Sequence, residues 1–319
     1  MNSEWIGYAC RALKPAVSRT SGVAVLALAL AVLPIASASA DASSAAAAVS
    51  AYDRLLPLQG GSNFRDMGGY FTSDGRQVRR GLLFRSAAMA SLTEAGQEYL
   101  SAFDFQRVID LRSNEERALY PNHWAAAHDI PLSSHDYSMR EIIEQIVDDN
   151  GELQGMQALY RNFPQQLRPQ MAQFFDAAVA GETPLVVNCS AGQDRTGLTS
   201  ALLLIALGVP RDVVVQDYLQ STRYRRPAVE RGDVDLAEAA KDNWFAKLML
   251  RYQDGSGAER AAEPLLTDDG VPYLRFALDQ IEQGYGSVER FLEQELSVDA
   301  ADITTLRSRY LEATFAQGD

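Results

Sequence analysis

The stretch "VVNCSAGQDRTG", Val186 to Gly197, gathers the residues of this chain best suited to chemistry. Cys189 is one of two cysteines in 319 residues, and Arg195 follows it after five others. Ser190, Ala191 and Gly192 are small, so the backbone between the two can turn its N–H groups inward toward one point. A helix starting near Thr196 would add its amino-terminal dipole to that nest. Arg195 supplies a permanently charged, planar fork that can grip two oxygens of a phosphate. The same positive field favours the thiolate form of Cys189, which is the form that attacks. A thiolate held against a bound phosphate implies transfer of the phosphoryl group to sulfur, followed by hydrolysis. The competing expectation is a buried structural cysteine beside an ion-paired arginine, because free cysteine packs as a small hydrophobe.

Such a loop needs a strand to deliver it and a helix to follow it. "PLVVN" (184–188) is a short apolar run that stops at polar residues, as a buried parallel strand does. "FQRVIDLRS" (105–113) repeats the pattern. After the loop, "TGLTSALLLIALG" reads as an almost wholly apolar helix of about three turns, closed by Gly208 and Pro210. "SLTEAGQEYLSAF" opens with a capping candidate and has helical spacing. Turn signals at Met67-Gly68-Gly69 and Ser73-Asp74-Gly75 separate short strand-like runs between 63 and 86. Strands alternating with helices predict an α/β fold, a central, mostly parallel sheet flanked by helices. The charged segment 218–264 is expected to form a helical lid or insertion, and a last pair of helices to cover 271–313, divided near "YGSVE".

The amino terminus reads separately. Arg11, Lys14 and Arg19 precede the apolar run "VAVLALALAVL", and Ala38-Ser39-Ala40 fits a small-residue cleavage site. Residues 1–40 are therefore expected to be a secretory signal peptide, with an uncleaved membrane anchor as the alternative. Residues 41–54 read as a mobile lead-in, and order should begin near Leu55. The net charge of −13 is lowered by two more on loss of residues 1–40, which carry three basic side chains and one acidic one. A chain this acidic is a poor ligand for nucleic acid or an anionic bilayer, and an anionic substrate needs a local positive site. Without Cys10 the exported form holds one thiol and no internal disulfide.

"NCSAGQDRTG" resembles the signature loop of the cysteine-dependent protein tyrosine phosphatase superfamily, and more narrowly the "AGxDRTG" loop of bacterial tyrosine/serine and lipid phosphatases. The likeness runs in the family's order through "NFRDMGGY", "GLLFRS", "VIDLRSNEE", "LGVP…DYLQS" and "YGSVERFLEQEL…DITTLRSRYL". It implies a phosphatase domain over 55–319, hydrolysing phosphate monoesters through a cysteinyl-phosphate, with no metal or other cofactor. Cys189 would be the nucleophile and Arg195 the phosphate clamp. Ser190, Ala191, Gly192 and Gln193, with Asp194, would offer backbone amides to the oxygens. Thr196 would assist the departing sulfur, and Asp194 would be the general acid. The substrate implied is phosphotyrosine on protein, with phosphoserine or phosphothreonine tolerated. Phosphoinositide or inositol-phosphate hydrolysis is the runner-up, and a silent phosphate-binding module a further alternative. Two positions depart from the pattern: Asn188 stands where most relatives have histidine, and Gln193 where phosphoinositide-hydrolysing relatives often have lysine.

Several assignments stay open at this level. Asp194 could simply cap the helix, as aspartate favours, and Asp136 in "SSHDYS" competes for the acid's role. Arg65 and Asp66 could border the pocket or brace a turn, and Asp110 and Arg112 follow a core strand on the same edge. His123, His128 and His135 lack the spacing of a zinc motif and read as loop residues. "RYRRPAVER" (223–231) is either a solvated face or a basic flap over the pocket.

Overall fold

The computed structural model describes residues 54–146, 154–251 and 262–313. The expected leader and all of the lead-in but Arg54 lie outside these residues. Among the described residues no helix is long and apolar enough to cross a membrane.

Among the described residues seven strands appear in chain order: β1 (Arg65–Asp66), β2 (Arg76–Val78), β3 (Leu83–Ser86), β4 (Arg107–Asp110), β5 (Leu132–Ser134), β6 (Leu185–Asn188) and β7 (Leu311–Ala313). Five form the central sheet in the order β1-β3-β6-β4-β5. All its pairings are parallel except that of β1 with β3, which closes one edge antiparallel. β2 and β7 make a separate antiparallel pair.

The alternation of side chains along each strand explains why these short runs are apolar throughout. Leu83, Ile109, Leu185 and Val187 enter a core shared with the helices Arg168–Ala180, Arg195–Leu207, Tyr273–Tyr285 and Val288–Leu296. Phe84, Val108 and Val186 face the other way, into a smaller core with Phe64, Leu100, Phe105 and Trp124. Neighbouring residues on one strand thus serve opposite faces, so both faces must be covered.

Register places the site. Ser86, Asp110 and Asn188 are paired across β3, β6 and β4, so three parallel strands end level at one edge. That carboxyl edge is where an open α/β sheet binds ligands. The helix Arg195–Leu207 leaves it directly and stops at Gly208, whose φ of 93° gives the left-handed turn.

Three boundaries differ from expectation. The helix Arg211–Tyr224 runs well past 218, with Tyr218 and Ser221 buried, so the short insertion helices begin only at Pro227. Among the described residues they are Pro227–Arg231, Leu236–Ala239 and Trp244–Arg251. Towards the carboxyl end there are three helices rather than two, because Ser297, at φ 58°, ends Val288–Leu296 and an Asp299/Asp302 capping box starts Ala300–Tyr310. Arg54, the last residue of the expected mobile segment, is only 3% exposed, because its guanidinium bonds the buried carboxylate of Asp217.

Candidate active site

Cys189 follows β6 and is 1% exposed, with its thiol free. The loop after it is shaped by what holds its carbonyls. Asn63 donates from Nδ2 to the oxygens of Ala191 (3.0 Å) and Gly192 (2.8 Å). Arg85 adds a bond from Nη2 to the Gly192 oxygen (3.0 Å), and the Ala88 N–H donates to the Ser190 oxygen (3.1 Å). With the carbonyls drawn outward, the N–H groups of Ser190 to Asp194 have no protein acceptor among the described residues. Gly192 has φ +63°, and a Cβ there would lie 2.4 Å from the backbone carbon of Ser86. No side chain fits, so this glycine is fixed both by conformation and by the closeness of β3.

Arg195 is held by a residue that the sequence reading did not single out. Its Nη1 and Nη2 each lie 2.6 Å from a carboxylate oxygen of Glu116, a two-pronged pair that fixes the plane of the guanidinium. Nη1 also donates to the Tyr137 hydroxyl (2.8 Å) and the Leu111 carbonyl (3.3 Å). Glu116 is itself fully enclosed, taking bonds from the Ser113 N–H (2.8 Å) and the Ser190 hydroxyl (2.5 Å). Burial alone would raise this carboxyl, but Arg195 outweighs it and holds Glu116 down to about 2. Burial pushes the Tyr137 phenol up, so it stays a neutral partner of Arg195. Glu116 was within reach of sequence reasoning, because Ser113 and Glu116 form a capping box at the start of Asn114–Leu119. Tyr137 carried no comparable signal.

Beneath the loop lies a second buried group. Asp217 receives Arg85 (2.7 Å), Arg65 and Arg54 (3.3 Å each) and the Tyr70 hydroxyl (2.8 Å). Three guanidiniums thus share one carboxylate, leaving a surplus of positive charge directly behind the loop. Burial, then Arg85 and Arg54, pull Arg65 down to about 10, while the cations outweigh burial and hold Asp217 well below the carboxylate range. Arg65 therefore supports the loop from below, and it also donates to Asn63. Asp66 braces a turn, accepting the N–H groups of Gly68 (2.7 Å) and Gly81 (2.8 Å).

The remaining expectations sort by contact. Asp194 sits at the amino terminus of its helix but does not cap it; its Oδ1 accepts the Tyr160 hydroxyl (2.5 Å) and Gln193 Nε2 (3.4 Å). Asp136 is turned outward, 86% exposed and paired with Arg117 (2.7 Å). Thr196 is fully buried, and its hydroxyl has no partner among the described residues. Asn188 donates to Asp110 (3.3 Å), while Asp110 and Arg112 form a buried pair (2.6 Å). His128 bonds back to Trp124 through Nδ1, as an ordinary helix-end contact. The basic run divides: Arg223, Arg226 and Arg231 are exposed, whereas Arg225 turns inward and donates to Gln193 Oε1 (2.9 Å) and to Glu230 (2.7 Å); Arg226 also donates to the carbonyls of Leu58 and Gly61.

Comparison with known proteins gives the chain's family. Residues 56–312 match the model described as "Tyrosine phosphatase family". A protein of Cupriavidus necator, named provisionally as a tyrosine-protein phosphatase, is 32% identical over 258 residues, covering 78% of this chain and 86% of the relative. The triple specificity protein phosphatase PtpB of Mycobacterium tuberculosis is 28% identical over 285 residues, covering 78% of this chain and 96% of its own. A tyrosine-protein phosphatase of Nostoc commune is 28% identical over 246 residues, covering 72% of this chain and 74% of that one. The sheet edge, the cysteine loop and the family match converge: the chain belongs to the tyrosine phosphatase family and is a hydrolase of the protein tyrosine phosphatase type.

Proposed function

We propose that this chain is an exported phosphatase that cleaves phosphotyrosine on proteins through a cysteinyl-phosphate, with tolerance of phosphoserine and phosphothreonine. The observation that carries the reading is the loop itself. Its carbonyls are tied outward by Asn63, Arg85 and Ala88, its N–H groups lack acceptors among the described residues, and Arg195 is locked by Glu116 beside it. That is an anion cradle built around a thiol.

In the first step the thiolate of Cys189 attacks phosphorus while the bond from phosphorus to the tyrosyl oxygen breaks. Asp194 gives its proton to that oxygen, and Arg195 with the loop amides carries the charge on the three equatorial oxygens. In the second step Asp194 takes a proton from water as the water oxygen attacks phosphorus. The sulfur–phosphorus bond breaks, Thr196 steadies the returning thiolate, and phosphate leaves. Export rests on the leader at 1–40, and the catalytic domain spans 55–319 with the insertion helices within it.

A second reading, hydrolysis of a phosphoinositide, has one observation in its favour. Arg225 brings a cation to Gln193, the position where the loop itself carries none. Phosphate release by residues 41–319 in EDTA, from a phosphotyrosyl peptide, a phosphoseryl peptide and a phosphoinositide, tests both readings. Turnover that survives EDTA and is fastest on the phosphotyrosyl peptide is the expected result. A preference for the lipid would replace the first reading with the second, and loss of all turnover in EDTA would overturn the thiol mechanism.

A further inference from the structure

Asp194 is in an unusual position for an aspartate that opens a helix. Such a residue ordinarily turns its carboxylate onto the N–H groups of the first turn. Here it makes no such bond. Its Oδ1 reaches instead to the hydroxyl of Tyr160, on the helix Gly155–Gln166 (2.5 Å). The Tyr160 hydroxyl lies 2.6 Å from that of Tyr218, on the helix Arg211–Tyr224. Tyr160 is fully buried, stacked on Tyr273 with ring centres 5.7 Å apart and packed against Phe163. Two helices remote from the loop in sequence thus stand behind one carboxylate oxygen, Tyr160 bonding it and Tyr218 bonding Tyr160.

We propose that Tyr160 is a positioning residue for proton transfer: its phenol, backed by Tyr218, draws Asp194 off its helix cap and assigns the transferred proton to Oδ2. The inference rests on the reading of Asp194 as the general acid. The assignment follows when Tyr218 donates to Tyr160, the direction that leaves the Tyr160 hydrogen for Asp194. Oδ1 faces two donors, the Tyr160 hydroxyl and Gln193 Nε2, so a proton placed there would meet theirs. Oδ2 takes no hydrogen bond among the described residues. The phenol can donate to Oδ1 in both protonation states of Asp194, as a carboxylate and as the carbonyl oxygen of the acid. Burial first, and then the Asp194 carboxylate, hold the Tyr160 phenol well above its ordinary value, so it remains a donor throughout. Drawing Asp194 away also leaves the first-turn N–H groups of its helix free for the substrate's phosphate.

The test is the dependence of kcat/KM on the leaving group, which reports the phosphoryl-transfer step. Dinitrophenyl phosphate expels a stable anion and needs little help, whereas phenyl phosphate needs a proton delivered to its oxygen. Tyr160→Phe should lower kcat/KM for phenyl phosphate roughly tenfold and leave dinitrophenyl phosphate within about twofold. Tyr218→Phe should shift the ratio the same way by less, and serves equally if Tyr160→Phe folds poorly. Asp194→Asn should produce the largest split. An equal loss on both substrates in the tyrosine variants, with the split present in Asp194→Asn, would overturn the role of Tyr160 alone. Absence of the split in Asp194→Asn would instead remove the general-acid reading, and this proposal with it.

Discussion

Serine in place of Cys189 is expected to lower phosphate release by roughly 10⁴-fold or more while leaving phosphate binding intact. The loop amides, Arg195 and Glu116 do not depend on the sulfur, so the cradle survives the exchange. What is lost is the nucleophile: an alkoxide is not available at neutral pH, and an oxygen ester of phosphate would be a poor intermediate for the second step. Cys189 is 1% exposed and serine is close to it in volume, so folding should be little affected. Initial rates on a phosphotyrosyl peptide, beside calorimetric titration with inorganic phosphate, would measure both halves. Residual turnover above a few per cent of the parent's would remove Cys189 from the mechanism. Loss of phosphate binding together with turnover would mean that the loop had collapsed.

The largest effect on stability should come from Asp217→Asn. Asparagine keeps the size and can still hydrogen-bond, but it removes the one negative charge shared by Arg54, Arg65 and Arg85. These guanidiniums are at most 2% exposed, so water cannot take over from the lost partner. Breaking a buried pair by removing one member costs about 3–5 kcal/mol. In a domain of this size that lowers the melting midpoint by roughly 10 °C. Activity should fall as well, because Arg85 binds the Gly192 carbonyl and Arg65 supports Asn63. Thermal unfolding followed by circular dichroism would check the value. A midpoint within about 2 °C of the parent's would show that the three arginines need no counter-charge.

The parts of this molecule legible in the sequence were those written in short stretches. The apolar runs of β4 and β6 and the helix after the loop declare themselves by composition, and Cys189 and Arg195 by spacing. The parts not legible are those assembled across the chain. Glu116 meets Arg195 from 79 positions away, Tyr160 meets Asp194 from 34, and Asp217 meets Arg54 from 163. Nothing in "DYLQS" distinguishes Asp217 from a surface aspartate, because its burial is decided by three arginines in the first third of the described chain. Arg225 and Arg226 show the same limit: a run of charges says nothing of which members find buried partners. The third helix near the carboxyl end was missed for another reason, since "SVDAAD" ends one helix and caps the next within a few residues.

The surplus of positive charge behind the loop has a consequence for how a catalytic cycle ends. A field that draws in a phosphate monoester draws in inorganic phosphate as well, and the free product carries no tyrosyl group to be lost. On the proposed function, the same charge would slow the release of phosphate as well as aid its capture. In surroundings rich in phosphate the proposed enzyme would work against its own product; where phosphate is scarce, the same cradle would empty freely and the cysteine would be available to the next substrate.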